Sequence, residues 1–203
     1  KIFTIPKKYP FNVFNNKSLN LGFDPRLHTE NSLNKLYKNS SIKLKPLNIN
    51  LIDLLWKRKK DLNIKPFYLI KDLDAGEKLE NKLSRLNKLI KLNNVDYVFT
   101  TASENIAWLL NIRGYDCDYS PLPNSHAFIG KDKKVVLFCN LKKINKSLKA
   151  KLNRKIKIFD FHQLPNFILN LLNKKILIDV LTCSIFFKIL ISKNNSVIEK
   201  EDP

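Results

Sequence analysis

The sequence predicts an α/β fold with a mixed β-sheet flanked by helices. Three observations carry this. From Pro66 onward, short β-branched or aromatic runs alternate with segments of helical periodicity. One pair of runs is joined by Gly130-Lys131-Asp132, a hairpin turn that makes those two strands antiparallel. A chain of 203 residues with 44% hydrophobic content can also bury a true core, which excludes intrinsic disorder as its main description.

The elements follow in order. Residues 18–24 read as a short strand ended by Pro25, and Leu27 to Tyr37 as a weak helix with Leu33, Leu36 and Tyr37 on one face. One strand and one helix cannot enclose a core, so residues 1–48 read as the C-terminal part of a domain whose remainder lies upstream. Segment 49–65 begins as an amphipathic turn and becomes a charged run, a linker pattern, with Trp56 expected to anchor it. Residues 66–203 then read as an α/β domain. Phe67–Ile70 is a strand. Asp74-x-x-Glu77 predicts a capping box for a helix carrying Leu79, Leu83, Leu86 and Ile90 at 4-3-4 spacing. Val95–Thr100 is a strand rich in β-branched and aromatic residues.

Thr101-x-x-Glu104 predicts a second capping box, followed by Ile106, Leu109, Leu110 and Arg113, with Gly114 as the helix C-cap. His126–Ile129 and Val135–Cys139 are the hairpin strands. Beyond them come a Lys-rich helix near 141–153, strand 156–160, helix 164–173, strand 175–179, helix 182–191 and strand 196–199.

Lys and Arg number 37 against 18 Asp and Glu, a net charge of +19. By count only five are Arg, at 26, 58, 85, 113 and 154, and the lysines are spread evenly along the chain. Base readout favours Arg, so the lysines read first as a solvated surface and nucleic acid as an unlikely partner. The best candidate for a polyanion-binding patch is Lys131 to Lys157, in particular Lys142, Lys143, Lys146 and Lys149. No apolar run is long enough to span a membrane, and the N-terminus lacks the apolar core of a secretory signal. Cys117, Cys139 and Cys183 are far apart and in no paired motif, which suggests reduced thiols and a cytoplasmic location. No metal-ligand spacing occurs, and the four Gly are too dispersed for a phosphate-cradling loop. With Lys1 at its start and no Met anywhere, the chain reads as a piece of a longer polypeptide.

Several single residues have two readings each. Trp108 lies on an apolar helix face and reads as core, or as part of a substrate entrance or interface. Arg113 and Asp116 flank Gly114; they make either a cap-region anchor or part of a substrate entrance or interface, where a guanidinium could grip a carboxylate. His126 at the start of its strand lines the same entrance or is core. Asp118 reads as turn chemistry, and Cys139 as a small buried hydrophobe.

The stretch TASENIAWLLNIRGYDCDYSP (101–121) with SHAFIG (125–130) resembles the second domain of the aminopeptidase P, or Xaa-Pro aminopeptidase, family. Leu21-Gly22-Phe23-Asp24-Pro25-Arg26-Leu27-His28-Thr29, Asn50–Trp56, Asp72-x-x-x-Gly76-Glu77, Lys82-Leu83-x-Arg85 and Glu201-Asp202-Pro203 are similar to family segments in the same order.

The resemblance implies a creatinase-type N-terminal fold, ribonuclease-H-like. Residues 1–48 would be the end of one such domain, 49–65 a linker and 66–203 a whole second domain. It also implies that the parent enzyme removes the residue preceding an N-terminal proline. Catalysis would belong to a C-terminal "pita-bread" domain holding two Mn²⁺, none of whose ligands can be placed in this sequence. The chain alone would then be non-catalytic, with its own catalytic domain, a second copy in a homodimer and an X-Pro peptide as the parent's partners. A stand-alone lysine-rich polyanion or RNA module, or a remnant of a split aminopeptidase gene, is the alternative.

Overall fold

A computed structural model describes residues 2, 4–14, 18–38, 40–56, 64–152 and 156–202. The charged run at 57–63, Arg154 and Pro203 lie outside them. The chain divides into two units, Lys1–Lys60 with Ser184–Phe187, and Asp61–Cys183 with Lys188–Pro203.

The first unit contains α1 (Pro10–Val13), β1 (Asn20–Phe23), α2 (Glu30–Tyr37), β2 (Lys43–Pro46) and α3 (Leu51–Leu55). Helix α2 begins later than the sequence pattern predicts because Thr29 caps it: its hydroxyl accepts from Ser32 N at 3.1 Å. Strand β2 carries the polar run KLKP and has no hydrophobic alternation to announce it. It forms because β1 offers it a parallel partner in the register Asn20↔Lys43 to Phe23↔Pro46. In α3 every apolar side chain is exposed, and Trp56 beyond it is 63% exposed.

The second unit contains β3 (Tyr68–Leu69), α4 (Asp72–Ala75), α5 (Leu79–Leu92), β4 (Tyr97–Thr100), α6 (Ser103–Leu110), β5 (Ile112–Arg113), β6 (Ser125–Gly130), β7 (Val135–Cys139), α7 (Lys146–Lys151), β8 (Ile156–Asp160), α8 (Leu164–Asn170), β9 (Lys175–Ile178), α9 (Ile185–Ser192) and β10 (Ser196–Glu199). The first residues of α9 group with the other unit. Six strands form one mixed sheet in the order β10-β9-β4-β6-β7-β8. The β4/β6 and β6/β7 pairs are antiparallel; β10/β9, β9/β4 and β7/β8 are parallel. The hairpin at 130–135 forms as the sequence predicts.

The strands read as continuous apolar runs because both faces of the sheet are covered. Val98, Ile129 and Leu137 share one cluster with Leu83 and Ile90 of α5 and with Ile106, Leu109 and Leu110 of α6. The alternate residues face the other way. Phe99 and Phe128 stack at 4.4 Å, and Phe128 and Phe138 each meet Phe167 of α8 at 5.2 Å. Fully burying each such ring contributes about 1.5–3 kcal/mol.

Four local expectations are corrected. The Asp74 capping box does not form: α4 ends at Gly76, whose φ of +73° breaks the helix, and Glu77 instead pairs with Arg85 at 3.0 Å. The Thr101 capping box is absent too. Helix α6 starts at Ser103 with Ala102 at its N-cap and no side-chain cap. Its C-cap is Asn111, left-handed at φ +54°, not Gly114. Asn111 takes this role because its amide is gripped from both ends, accepting from Lys82 Nζ at 2.6 Å and donating to Glu77 O at 3.0 Å. Gly114 is needed for space. A Cβ there would come within 2.8 Å of the Pro123 Cα and 2.9 Å of Leu122 O. The Lys-rich helix near 141–153 is also broken, into a 3₁₀ turn at Leu141–Lys143 and α7, since Asn140 and Asn145 each cap their own turn. Among the described residues no helix is long and apolar enough to cross a membrane.

Candidate functional site

A cavity of about 180 Å³ opens between α5, α6 and the sheet. Its walls are Leu86, Leu89, Val98, Leu109 and Ile129; Lys82, Arg85, Trp108, Thr100, Asn105 and Asp202 add polar groups and an indole. Lys82 comes from the buried stripe of α5 and is only 1% exposed. Its ammonium donates to Trp108 O and Asn111 Oδ1, both at 2.6 Å, and lies 4.5 Å from the indole centroid. Burial holds its pKa below the usual lysine value, with Glu77 opposing. Two acceptors and an indole face use all three of its N–H directions, so Lys82 is a fixed strut and not a poised base.

At the other end, Asp202 accepts from Thr100 Oγ1 at 2.6 Å and Asn105 Nδ2 at 2.8 Å. Its second oxygen is buried without a hydrogen-bond partner. Burial raises its pKa, against the pull of those two donors. A strand end, a helix start and the segment after β10 are thereby tied together.

The expected entrance residues do not converge on this cavity. Trp108 does line it, but Trp108 is 45% exposed and so is not the core residue its helix face suggests. The indole sits at the rim because Lys82 and Arg85, one helical turn apart on α5, lie over it at 4.5 and 5.4 Å. Arg113 turns back to donate to Ala107 O in the last turn of α6 at 2.7 Å and to Ile112 O of β5 at 2.9 Å. This is the cap-region reading. Asp116 accepts from Asn124 N at 2.7 Å and pairs with Lys143, each side chain 9% exposed. The loop from Gly114 to Asn124 is thus stapled to the 3₁₀ turn. His126 packs edge-on against Phe99 at 6.1 Å and Phe161 at 5.4 Å, and burial lowers its pKa.

The lysine patch is also changed. Lys143 is withdrawn from it: it is 7% exposed and neutralised by Asp116, while Lys142, Lys146 and Lys149 remain exposed. Cys139 is buried as expected, its thiol pushed up to about 12. Sequence reasoning missed the pairing of Lys82 with Asn111. The signals available were a lysine inside the apolar period of α5 and the family-like segments that contain Lys82 and Asp202; neither pointed to these partners, and Thr100 is 102 positions from Asp202.

Among the described residues no group of three or more His, Cys, Asp or Glu side chains could hold a metal ion. The residues present therefore do not fit a di-manganese centre, and no chemical step is derived through one.

Residues 58–203 match the family model described as Creatinase/Prolidase N-terminal domain. The chain is similar to the Xaa-Pro aminopeptidase app-1 of Caenorhabditis elegans, 28% identical over 159 residues that span 76% of this chain and 26% of that protein. It is similar to Xaa-Pro aminopeptidase 1 of Dictyostelium discoideum, 29% identical over 166 residues, again 76% and 26%. The crystal structure of the C. elegans X-prolyl aminopeptidase, described as a cytosolic enzyme with a di-nuclear active site, superposes with a TM-score of 0.77 at 23% identity, covering 90% of this chain and 31% of that one. The chain spans about a quarter of the length of the relatives it matches.

Proposed function

We propose, for a chain that belongs to the creatinase/prolidase N-terminal domain family, that it serves as the non-catalytic N-terminal region of an Xaa-Pro aminopeptidase. Residues 1–48 form the end of a first domain, 49–65 the linker and 66–203 the second domain. The parent enzyme removes the residue preceding an N-terminal proline in the cytoplasm. Two Mn²⁺, held in its C-terminal catalytic domain, would supply the hydrolytic chemistry there. This region shapes the substrate entrance and supports a homodimer. The observation that carries the reading is the family match over 58–203. The fold is shared with the X-prolyl aminopeptidase of C. elegans over 31% of that chain.

The geometry favours a scaffold over a catalyst. Lys82, Arg113, Asp116 and Lys143 spend their charges on carbonyls and on one another. The test is a purified chain assayed on X-Pro peptides with and without added Mn²⁺. No release of X is expected; turnover that copurifies with the chain through successive columns would refute the reading.

A further inference from the structure

Strand β8 closes one end of the six-stranded sheet, so one side of its backbone ladder has no neighbouring strand within that sheet. Beside it runs a groove of about 630 Å³ lined by Leu141, Ile144, Leu152, Ile156, Ile158 and Phe159 and edged by Lys149 and Lys157. The surrounding charge is mostly positive, with Asp160 at the end of β8 as the nearest acid. From Lys133 to Phe159 the sequence contains no Asp or Glu. Among the described residues Lys142, Lys146, Lys149 and Lys157 are exposed and in no ion pair, while Lys143 is withdrawn to Asp116.

These features select an occupant. A second copy of the same edge would bring one lysine-edged groove up against another, and like charges across a strand pair are destabilising. A bare polyanion would meet the lysines but leave the apolar floor uncovered. A chain that is both acidic and apolar uses all three elements. We propose that the β8 edge is a docking site for an acidic extended segment of a partner protein, one that adds a strand to the sheet, places alternate apolar side chains in the groove and pairs its carboxylates with Lys149 and Lys157. This is an interaction surface on the second unit, and it does not depend on the aminopeptidase reading.

The test uses the whole chain and a fluorescent peptide of about 8 residues that alternates glutamate and valine. Saturable binding that weakens with salt is expected, and K149E/K157E should reduce it by about 10-fold or more. The same peptide N-methylated at alternate residues keeps its charge and side chains but loses the N–H groups that face a sheet edge. Its binding should fall by about 10-fold or more as well. The protein is unchanged in that arm, so folding does not enter. Polyuridylate and inorganic polyphosphate form a further arm. Displacement of the peptide by either at equal charge, or equal binding of the N-methylated peptide, would reduce the face to a polyanion surface and overturn the proposal. So would the absence of saturable binding.

Discussion

Replacing Asp116 by Asn should destabilise the second unit more than any other single change at a charged side chain. The magnitude follows from the surroundings. Asp116 and Lys143 are each 9% exposed and 27 positions apart, so the pair is buried and long-range. Asparagine keeps an oxygen for Asn124 N–H, so that bond survives. What is left is an ammonium enclosed by protein near the Phe67 ring, its centroid 6.0 Å from Nζ, with no counter-charge. Removing one member of a buried pair costs about 3–5 kcal/mol. The surviving bond argues for the lower end, about 3 kcal/mol. For a chain of this size that lowers the thermal midpoint by about 6–12 °C. Urea unfolding followed by Trp108 fluorescence in a Trp56→Phe background reads the second unit alone. Lys143→Met is the companion. Combined with Asp116→Asn it removes the orphaned charge, and the double variant should be more stable than the sum of the two losses by about 1–3 kcal/mol. A loss below about 1 kcal/mol for Asp116→Asn, or strictly additive losses, would refute the staple.

Three further outcomes are expected. Burial holds the His126 pKa below 6.5, so the unfolded chain binds the extra proton first as pH falls. Stability contributed by neutral His126 should therefore be full above pH 6.5 and decline below it down to the folded value. His126→Phe should flatten that decline, and an imidazole NMR titration with a midpoint above 6.5 would contradict it. Of three thiols, exposed Cys117 alone should react quickly with a disulfide reagent at pH 8, because Cys139 and Cys183 are buried and the Cys139 thiol is pushed up to about 12; two fast thiols in the native protein would count against the fold. Gly114→Ala should cost about 1–3 kcal/mol by overpacking, since two of the atoms its Cβ would meet are backbone, and a stability unchanged in urea would show that the Pro123 loop yields.

The elements that could be read from the sequence are those whose cause is local. The hairpin at Gly130, the strand at Tyr97–Thr100 and the apolar stripe of α5 depend on residues within a few positions of one another. Misreadings arose where a distant group overruled the local pattern. Asn111, not Gly114, ends α6 because Lys82 and the Glu77 carbonyl reach it from elsewhere in the fold. Strand β2 was invisible because its reason is a neighbouring strand and not its own polar sequence. Of the site residues, Trp108 was found for the wrong reason, as core, whereas a pair of cations from another helix holds it at a cavity rim.

The sequence by itself determined the class of fold, the covered sheet, the absence of a phosphate loop and the family, because these rest on periodicity, turn chemistry and contiguous motifs. Only the tertiary structure decided what the charges do. A lysine's codon neighbourhood says nothing of whether its ammonium meets water, an indole or a carboxylate. Lys82 went to Asn111, Lys143 to Asp116, and Lys149 and Lys157 stayed at the open edge of the sheet. Burial sets that division: the low-polarity interior requires every enclosed charge to find a partner far along the chain, while an exposed one is left to water or to whatever docks beside it.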